Sequence, residues 1–402
     1  MNVPTKTLQI PHQLQSIFPK KLQSRLVALR RDLHQHPELS FREERTAQKL
    51  YDELALLQPA ELDRIAGTGV VARIKGRDSN APKVAVRGDI DALPIQEQTG
   101  LEFASVTPCV MHACGHDVHA AWVVGVAHLL KEKPAEGDVL IVLQPAEEIG
   151  KGCLAILQSG ILDDVSAIFG AHVDQYLTVG RVVAQEGPLA ASADTFEIEL
   201  VGRGAHGARP HESVDPVVGV GALITALQTI VSRRLNPAHA GVVTIGTVNA
   251  GSAPNIIPES AKLTGTLRSV DSKTRQFLQD ELREVAESTA AAYHLRAEIK
   301  VEPGTPALVN PAQPVSWSRQ AVSSLLGEEA LAQLGFSNMA GEDFAFYLEK
   351  IPGCFIRIGA RELGAEPIPA HSPYFYPAEE SIFVGAAVLA ETARIASLEL
   401  GR

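Results

Sequence analysis

The first half of the chain combines short apolar runs, typical of buried strands, with apolar residues at helical spacing. The apolar runs predict strands at 69–74, 83–88, 138–144 and 165–172. The helical spacing predicts helices at 20–36, 118–130 and 151–158. Strands that alternate with helices predict an α/β domain, with helices flanking a central sheet.

The pattern changes near residue 187, where a second set of elements begins. Its predicted order is strand, helix, strand, strand, helix, strand, at 194–201, 216–233, 241–249, 261–270, 272–292 and 296–301. This βαββαβ order is ferredoxin-like and forms its own core. We therefore predict an inserted domain at 188–303, within a catalytic domain made of 1–187 and 304–402. The catalytic domain resumes with helices at 314–325 and 381–399 and a strand at 353–359.

The segment between the first two helices has the spacing of a capping box. In that motif a serine caps free N–H groups at the helix start, and a glutamate three residues later bonds back to it. Ser40 and Glu43 fit the pattern, which predicts a helix from there to about Leu57.

Polar residues with metal-binding or acid–base chemistry follow three of the predicted strands. Asp89 and Asp91 follow the second strand, Glu147 and Glu148 the third, and His172 ends the fourth. Strand ends are where open α/β sheets place their sites. The aspartates could instead form a turn before a proline, and the glutamates could start a solvated helix.

The stretch from Val110 to His119 holds three histidines, a cysteine and an aspartate. Cys114 and His116 are two residues apart, a spacing that converges on a tight loop but not within a helix. Cysteine and histidine are ligands of borderline-soft divalent metals. An ordinary loop with a free thiol is the alternative for this stretch alone. Together with the three strand ends, it predicts a metal site at one edge of the sheet.

Charge and composition narrow the class of protein. The net charge of −11 disfavours binding to nucleic acid or anionic lipid. We find no run of eighteen apolar residues and therefore expect no membrane span. The N-terminus shows no secretory signal, and four cysteines in 402 residues do not form a disulfide framework. These features predict a cytoplasmic protein.

Several motifs resemble one enzyme family along nearly the whole chain and in the same order. They are RDLHQHPELS (31–40), RGDIDALP (87–94), MHACGHD (111–117), QPAEE (144–148), AHGARPH (205–211), NIIP (255–258) and MAGEDF (339–344). The chain resembles the metal-dependent amidohydrolase and peptidase family of aminoacylases and carboxypeptidases. Its motifs are most similar to the branch of hippurate hydrolases, N-acyl-L-amino-acid amidohydrolases and auxin-conjugate hydrolases. The resemblance implies a zinc-peptidase-like α/β catalytic domain with a central mixed sheet, plus an inserted ferredoxin-like lid and dimerisation domain.

The resemblance implies two divalent metal ions per subunit, with Zn or Mn favoured over Co or Ni. Cys114 would bridge the ions, where an aspartate bridges in the wider family. His116 and His172 would complete the ligands of one ion, and Glu148 and His371 those of the other. The loop around His371 departs from the commonest family form, with Ala370 before it and Ser372-Pro373 after it. Glu147 would be the general base, and Asp91 the carboxylate that orients a ligand. His112 and His119 are weaker candidates for metal ligands, and His119 is expected to pack in the core or to support a ligand.

The resemblance also assigns roles within the inserted domain. His206 would reach the active site of a partner subunit and stabilise the oxyanion, although the residues alone favour a surface-turn histidine. Asn255 and Arg268 would hold the substrate carboxylate, a role that suits a guanidinium because it pairs with carboxylates bidentately. A homodimer is therefore expected, with a tetramer as an alternative.

These features predict hydrolysis of N-acyl-L-amino acids, with small-molecule substrates and Glu147 as the base. A carboxypeptidase or dipeptidase with the same two-metal site is the alternative. A metal-binding relative without catalysis, acting as an interaction module, is the third hypothesis. The intact Glu147 argues against it, because a binding protein needs no base there.

Overall fold

The computed structural model describes residues 10–335 and 339–402. The helices are α1 Lys20–Gln35, α2 Glu44–Ala55, α3 His116–Glu132, α4 Gly152–Gln158, α5 Pro216–Thr229, α6 Ser272–Ala292, α7 Ala312–Leu326, α8 Ala345–Leu348 and α9 Ser381–Leu400. The first strands are β1 Glu61–Ile65, β2 Gly69–Ile74, β3 Lys83–Asp89, β4 Val139–Gln144, β5 Val165–Thr178, β6 Val182–Val183, β7 Gly187–Ala190 and β8 Ser192–Val201. The remaining strands are β9 Ala205–His206, β10 Gly241–Ala250, β11 Ile256–Ile257, β12 Ser260–Ser269, β13 Arg296–Thr305, β14 Leu308–Asn310, β15 Leu331–Ala332 and β16 Gly353–Arg361. The prediction that no secretory signal is present concerns residues 1–9, which lie outside the described residues.

One compact unit comprises the described residues up to Gly187, together with Asn310–Gly335 and Phe346–Arg402. Its sheet has eight strands in the order β1-β2-β4-β3-β5-β16-β6-β15. The four central strands β4, β3, β5 and β16 are parallel, whereas β2 runs antiparallel to β4. β4 is buried at every position, as expected for a strand covered on both faces. The predicted α/β fold with a central mixed sheet and flanking helices is confirmed.

Helices α3 and α9 form the centre of the helical packing in this unit. Gly385 lets α9 approach α3 closely, because an added Cβ there would lie 2.4 Å from the Trp122 ring. By length and composition, Ser381–Leu400 and Pro216–Arg234 could each cross a membrane, a test that buried helices of soluble proteins also pass. The apolar window of Ser381–Leu400 is 78% buried. Its apolar composition is therefore accounted for by the core.

Several details differ from the sequence prediction, and three of them concern the first unit. The capping box is wrong: α2 begins at Glu44, and Glu43 at its N-cap makes no side-chain cap. The fourth predicted strand is longer, because β5 continues to Thr178. β1 was not predicted, and its alternation of exposed and partly buried positions is typical of an edge strand.

The second compact unit comprises Pro188–Val309 and residues 339–345. Its elements follow the order β8, α5, β10, β12, α6, β13, and its antiparallel sheet has the strand order β10-β12-β8-β13. Apolar side chains from the sheet and both helices form a separate core: Phe196, Ile198, Leu223, Leu227, Leu263, Leu278 and Leu282. A role of this unit as a lid or a dimerisation domain stays a prediction.

A buried carboxylate ties the elements of the second unit together. Asp194 on β8 is 0% exposed and accepts hydrogen bonds from Arg275, Gln279 and the Gly304 N–H. Burial opposes the charge, but the hydrogen bonds from Arg275 and Gln279 outweigh it and lower the pKa of Asp194. The ionised form is therefore stabilised in the folded protein.

We expect Asp194→Asn to lower the free energy of unfolding by about 3 kcal/mol at pH 7, because Arg275 loses a buried partner. The depressed pKa means that the wild type gains this stability above pH 3.8, the ordinary pKa, and loses it as the pH falls through the folded-state pKa. Guanidinium denaturation of metal-free protein between pH 7 and pH 3 measures the difference. Asp280→Asn, at an exposed position of α6, is the control. If the difference in free energy of unfolding between wild type and Asp194→Asn stays constant down to pH 3, Asp194 is not the stabilising carboxylate.

Candidate metal centre

The candidate centre forms where neighbouring parallel strands of the central sheet end. β4, β3 and β5 are adjacent and parallel, so their carboxyl ends meet at one edge. Asp89 ends β3, and Gln144 ends β4 and leads into Glu147 and Glu148. His172 lies in β5 beyond the last residue paired with β3. The sheet thus brings these side chains to one edge.

The loop before α3 presents Cys114 and His116 through a left-handed glycine. Gly115 has φ 100°, a conformation that favours glycine. A Cβ there would lie 2.5 Å from a methyl group of Val173. His116 is the first residue of α3, two residues before the predicted start. The turn at Gly115 therefore separates a candidate ligand on the loop from one on the helix.

Five potential metal ligands lie together in the first unit. The Sγ atom of Cys114 lies 3.2 Å from Nε2 of His172. Glu148 lies 3.8 Å from Nε2 of His116 through Oε1 and 3.5 Å from Nε2 of His371 through Oε2. Two triads share the cysteine: Cys114, His116 and His172 form one, and Cys114, Glu148 and His371 form the other, each with ligand atoms within 4.8 Å of one another.

The chemistry of these side chains fits divalent metal ions. Nε2 of His116 and Oε1 of Glu148 are buried without a hydrogen-bond partner, an expensive arrangement unless another group satisfies them. The 3.2 Å between Cys114 and His172 is close to the roughly 3.5 Å that separates sulfur and nitrogen ligands of a tetrahedral zinc ion. Cysteine, histidine and carboxylate ligands together suit a borderline metal.

Hydrogen bonds fix the two buried histidines with Nε2 available. Nδ1 of His116 lies 3.1 Å from Oδ1 of Asp91 and 3.0 Å from its backbone oxygen. Nδ1 of His172 donates to the backbone oxygen of Val173 at 2.7 Å. Such contacts orient the ring and set the tautomer that coordinates through the other nitrogen. Asp91 thus makes the contact expected of an orienting carboxylate.

His371 lies on an exposed loop rather than in the core. Its backbone N–H donates to the oxygen of Ala113 at 2.8 Å, which joins this loop to the Cys114 loop. Its φ of 67° is left-handed. Its side chain is 54% exposed, in contrast to the fully buried His116.

His119 supports the centre without being available to a metal. Its Nε2 accepts from the Val173 N–H at 3.0 Å, so Nδ1 carries the proton and donates to Asp89 at 2.6 Å. Asp89 also pairs with Arg87 at 2.5 Å, and both side chains are fully buried. Asp89 is therefore part of a buried network and does not form a solvated turn.

Burial shifts the pKa values of several of the candidate ligands in the metal-free protein. It raises the pKa of Cys114 well above its usual value, and the Glu148 carboxylate adds to the effect. It also raises the pKa of Glu148 to about 7 and lowers the pKa of His172 well below its usual value. A bound cation favours the deprotonated thiol and carboxylate, so ion binding and proton release are coupled.

The two glutamates follow a strained turn at the end of β4. Ala146 is fully buried and has φ 52°, a left-handed conformation that is uncommon for residues other than glycine. Oε2 of Glu147 lies 4.0 Å from Nε2 of His116, and the Glu147 side chain is 11% exposed. Glu147 is thus beside the ligand cluster and in reach of solvent.

The remaining predicted site residues belong to the second unit. His206 on β9 pairs with Ile256 of β11, and the N–H of the next residue, Gly207, donates to the backbone oxygen of Asn255 at 2.8 Å. His206 and Asn255 are therefore neighbours. Nδ1 of His206 accepts from the Ala208 N–H at 3.1 Å, which leaves the proton on Nε2. Arg268 lies on β12 and is partly buried.

Two residues were assigned a different role by the sequence. The hydroxyl of Ser40 donates to Oδ2 of Asp91 at 2.7 Å, and Glu43 accepts from the N–H of Ala146 at 3.0 Å. The sequence pattern predicts a helix cap for both residues, and no local pattern signals contacts made over such sequence separations.

His112 is buried without a hydrogen-bond partner on either ring nitrogen, and burial lowers its pKa to about 4. It belongs to neither triad.

Comparison with known proteins agrees with this geometry. A model of the peptidase family M20/M25/M40 matches residues 85–395. N-acetylcysteine deacetylase of Bacillus subtilis (strain 168) is 42% identical over 389 residues, covering 94% of this chain and 98% of that protein. IAA-amino acid hydrolase ILR1-like 4 of Arabidopsis thaliana is 36% identical over 382 residues, covering 93% of this chain and 86% of that protein.

A solved structure from Bacillus subtilis, described as a dinuclear metal binding peptidase from the M20 family, has a TM-score of 0.83 and 40% identity. The match covers 94% of this chain and 99% of that one. It supports two divalent metal ions for this chain. The chain belongs to peptidase family M20/M25/M40 and is a metal-dependent amidohydrolase or peptidase.

Proposed function

We propose that the protein hydrolyses the amide bond of N-acyl-L-amino acids, releasing a carboxylic acid and a free amino acid. The observation that carries the proposal is Glu147 beside the two triads that share Cys114. Relatives named for N-acetylcysteine and for IAA-amino acids support the substrate class, because both names describe an amino acid with an acylated nitrogen.

Glu147 is the general base in this proposal. Its carboxylate takes a proton from the attacking water and delivers it to the nitrogen of the leaving amine. Glu148, next to it, is a ligand rather than a base, consistent with its contacts to His116 and His371. A carboxylate that is partly exposed and not committed to a metal suits proton transfer.

In this proposal His116 and His172 would hold one ion and Glu148 and His371 the other, and Cys114 would contribute to both sites. Two divalent ions supply an acidified water and polarise the amide carbonyl. Zn or Mn is proposed, with Co or Ni as alternatives. A cysteine ligand must stay reduced, which a cytoplasmic location would favour, and all four cysteines are free.

The second unit would recognise the substrate. Arg268 and Asn255 hold the free carboxylate, and His206 donates from Nε2 to the developing oxyanion. The hydrogen bond from Ala208 to Nδ1 supports this role, because it leaves Nε2 as the donor.

A carboxypeptidase or dipeptidase is the second candidate, since the matching dinuclear structure is described as a peptidase. Initial rates on N-acetyl, N-benzoyl and indole-acetyl amino acids, set against dipeptides, distinguish the two. Metal-free protein reconstituted with Zn, Mn, Co or Ni should be used. We expect kcat/KM to be highest for an N-acyl amino acid. Higher values for all dipeptides would favour the second candidate, and no hydrolysis would reject both.

We further propose a homodimer, or a tetramer built from such dimers, formed through the second unit. β10 is an edge strand of its sheet, and exposed edges are commonly paired in native proteins. The neighbouring α5 exposes Val217 and Val218, at 45% and 55%. A two-fold pairing is the commonest closed assembly. His206 would then serve the metal centre of the partner subunit.

Mixing inactive His206→Ala with inactive Glu147→Gln should restore activity if His206 acts across the interface. A mixed dimer then has one site with both wild-type groups, so up to about half of its sites recover. Subunit exchange followed by an activity assay measures this. Each variant incubated with itself is the control. No recovery despite proven exchange, or a fully active monomer by light scattering, would end the cross-subunit proposal.

A further inference from the structure

The side chain of Glu43 connects the start of α2 to the turn that carries both glutamates. It is fully buried. One carboxylate oxygen accepts from the Ala146 N–H at 3.0 Å, and the other accepts from the Thr68 hydroxyl at 2.5 Å. It makes no cap to its own helix. The carboxylate therefore joins three segments that are distant in sequence.

The peptide that Glu43 holds is the strained one. Ala146 has φ 52°, and its carbonyl accepts from the N–H groups of Lys151 and Gly152 at 3.3 and 3.1 Å. A left-handed alanine persists where its surroundings over-determine it. Here a charge-assisted hydrogen bond fixes the N–H side and two backbone bonds fix the carbonyl side.

The far end of the same turn is held by Asp91. Its Oδ2 accepts from the Glu148 N–H at 3.1 Å and from the Ser40 hydroxyl at 2.7 Å. Asp91 also orients His116. The segment 146–148 is therefore held at its first residue by Glu43 and at its last by Asp91, with Glu147 between them.

We infer that Glu43 is a positioning residue of the metal centre: it holds Ala146 in the left-handed conformation and thereby fixes Glu147 and Glu148 at the ligand cluster. The inference rests on the proposed function only in treating Glu148 as a ligand and Glu147 as the base. Burial raises the pKa of Glu43, so a carboxylate here is expensive, and its hydrogen bonds with Thr68 and Ala146 offset part of that cost.

Metal titration of chelator-treated protein tests this with Mn²⁺ or Zn²⁺ as the probe. Glu43→Leu should lower the affinity for at least one of the two metal equivalents by about 10–100-fold. This is the effect typical of losing a group that orients a ligand. The value of kcat should fall more than KM rises, because the loss lies in the chemistry and not in substrate binding. Glu43→Gln should retain metal affinity and kcat, since its amide oxygen still accepts the hydrogen bond from the Ala146 N–H.

Thr68→Val is the matched control, because it removes the other partner of Glu43 and leaves Ala146 untouched. It should lower the melting temperature of metal-free protein without changing metal affinity. Adding Ala146→Gly to Glu43→Leu should recover metal affinity, because glycine adopts the left-handed conformation at little cost. Wild-type metal affinity in folded Glu43→Leu, or equal losses in Glu43→Leu and Thr68→Val, would overturn the inference.

Glu43→Asp covers the case in which Glu43→Leu does not fold. It keeps the buried charge but shortens the reach to Ala146, so weakened metal binding supports the inference and wild-type binding overturns it. The wild type is measured first. Failure of the wild type to bind two equivalents, or to hydrolyse any amide, rejects the proposed function instead. Variant affinities are then compared only with the wild type, so the two outcomes stay distinct.

Discussion

Glu147→Gln should lower kcat by at least about 10²–10⁴-fold while both metal equivalents remain bound. The amide keeps the shape of the side chain but has little affinity for a proton, and general acid–base assistance contributes a factor of that size. Because Glu147 lies 4.0 Å from His116 and is assigned to neither ion, its loss should spare the ligands. Steady-state kinetics and metal analysis of the same preparation measure both quantities.

Glu148→Gln is the matched control for this change. It alters the adjacent residue in the same way, but it removes a proposed ligand, so metal content should fall together with activity. If Glu147→Gln loses metal and Glu148→Gln keeps it, the two roles are exchanged. Near wild-type turnover in Glu147→Gln would place the base elsewhere in the protein.

Cys114→Ser should lower metal affinity by more than the roughly 10–100-fold that is typical of losing an orienting group. The reason is that Cys114 is common to both triads. A serine hydroxyl does not ionise readily, so it is a poor replacement for the proposed thiolate ligand. We expect fewer than two equivalents after dialysis and a large drop in kcat/KM. Metal analysis and calorimetric titration measure the loss.

Cys109→Ser provides the control, since Cys109 is an exposed free cysteine outside both triads. It should keep wild-type metal content and activity. Unchanged stoichiometry and activity in Cys114→Ser would remove the cysteine from the site.

The sequence was most informative where local pattern and chemistry coincide. Continuous apolar runs locate β3 and β4 because a buried parallel strand needs apolar residues on both faces. The residues after such strands lie at one edge by topology alone, so the positions of Asp89, Glu148 and His172 could be anticipated. His371 could not be placed in this way, since it lies on a loop after β16 and only the family resemblance assigned it.

The contacts of Ser40 and Glu43 show what a local pattern misses. Their spacing fits a helix cap, but the helix begins at Glu44 and both side chains bond to residues far along the chain. Tertiary contacts overrode a local preference that is worth only about 1 kcal/mol. The raised pKa of Glu148 is equally invisible in sequence, because it depends first on burial.

The position of β16 has a consequence for how the chain acquires its structure during synthesis. β16 pairs along its length with β5, although the whole second unit lies between them in sequence. During synthesis β5 therefore lacks its neighbour β16 until the ribosome has made Gly353–Arg361. A buried apolar strand with one edge unpaired for this long is a target for chaperones, and pairing over such a separation is slow. The intervening unit has its own core and can fold during the delay.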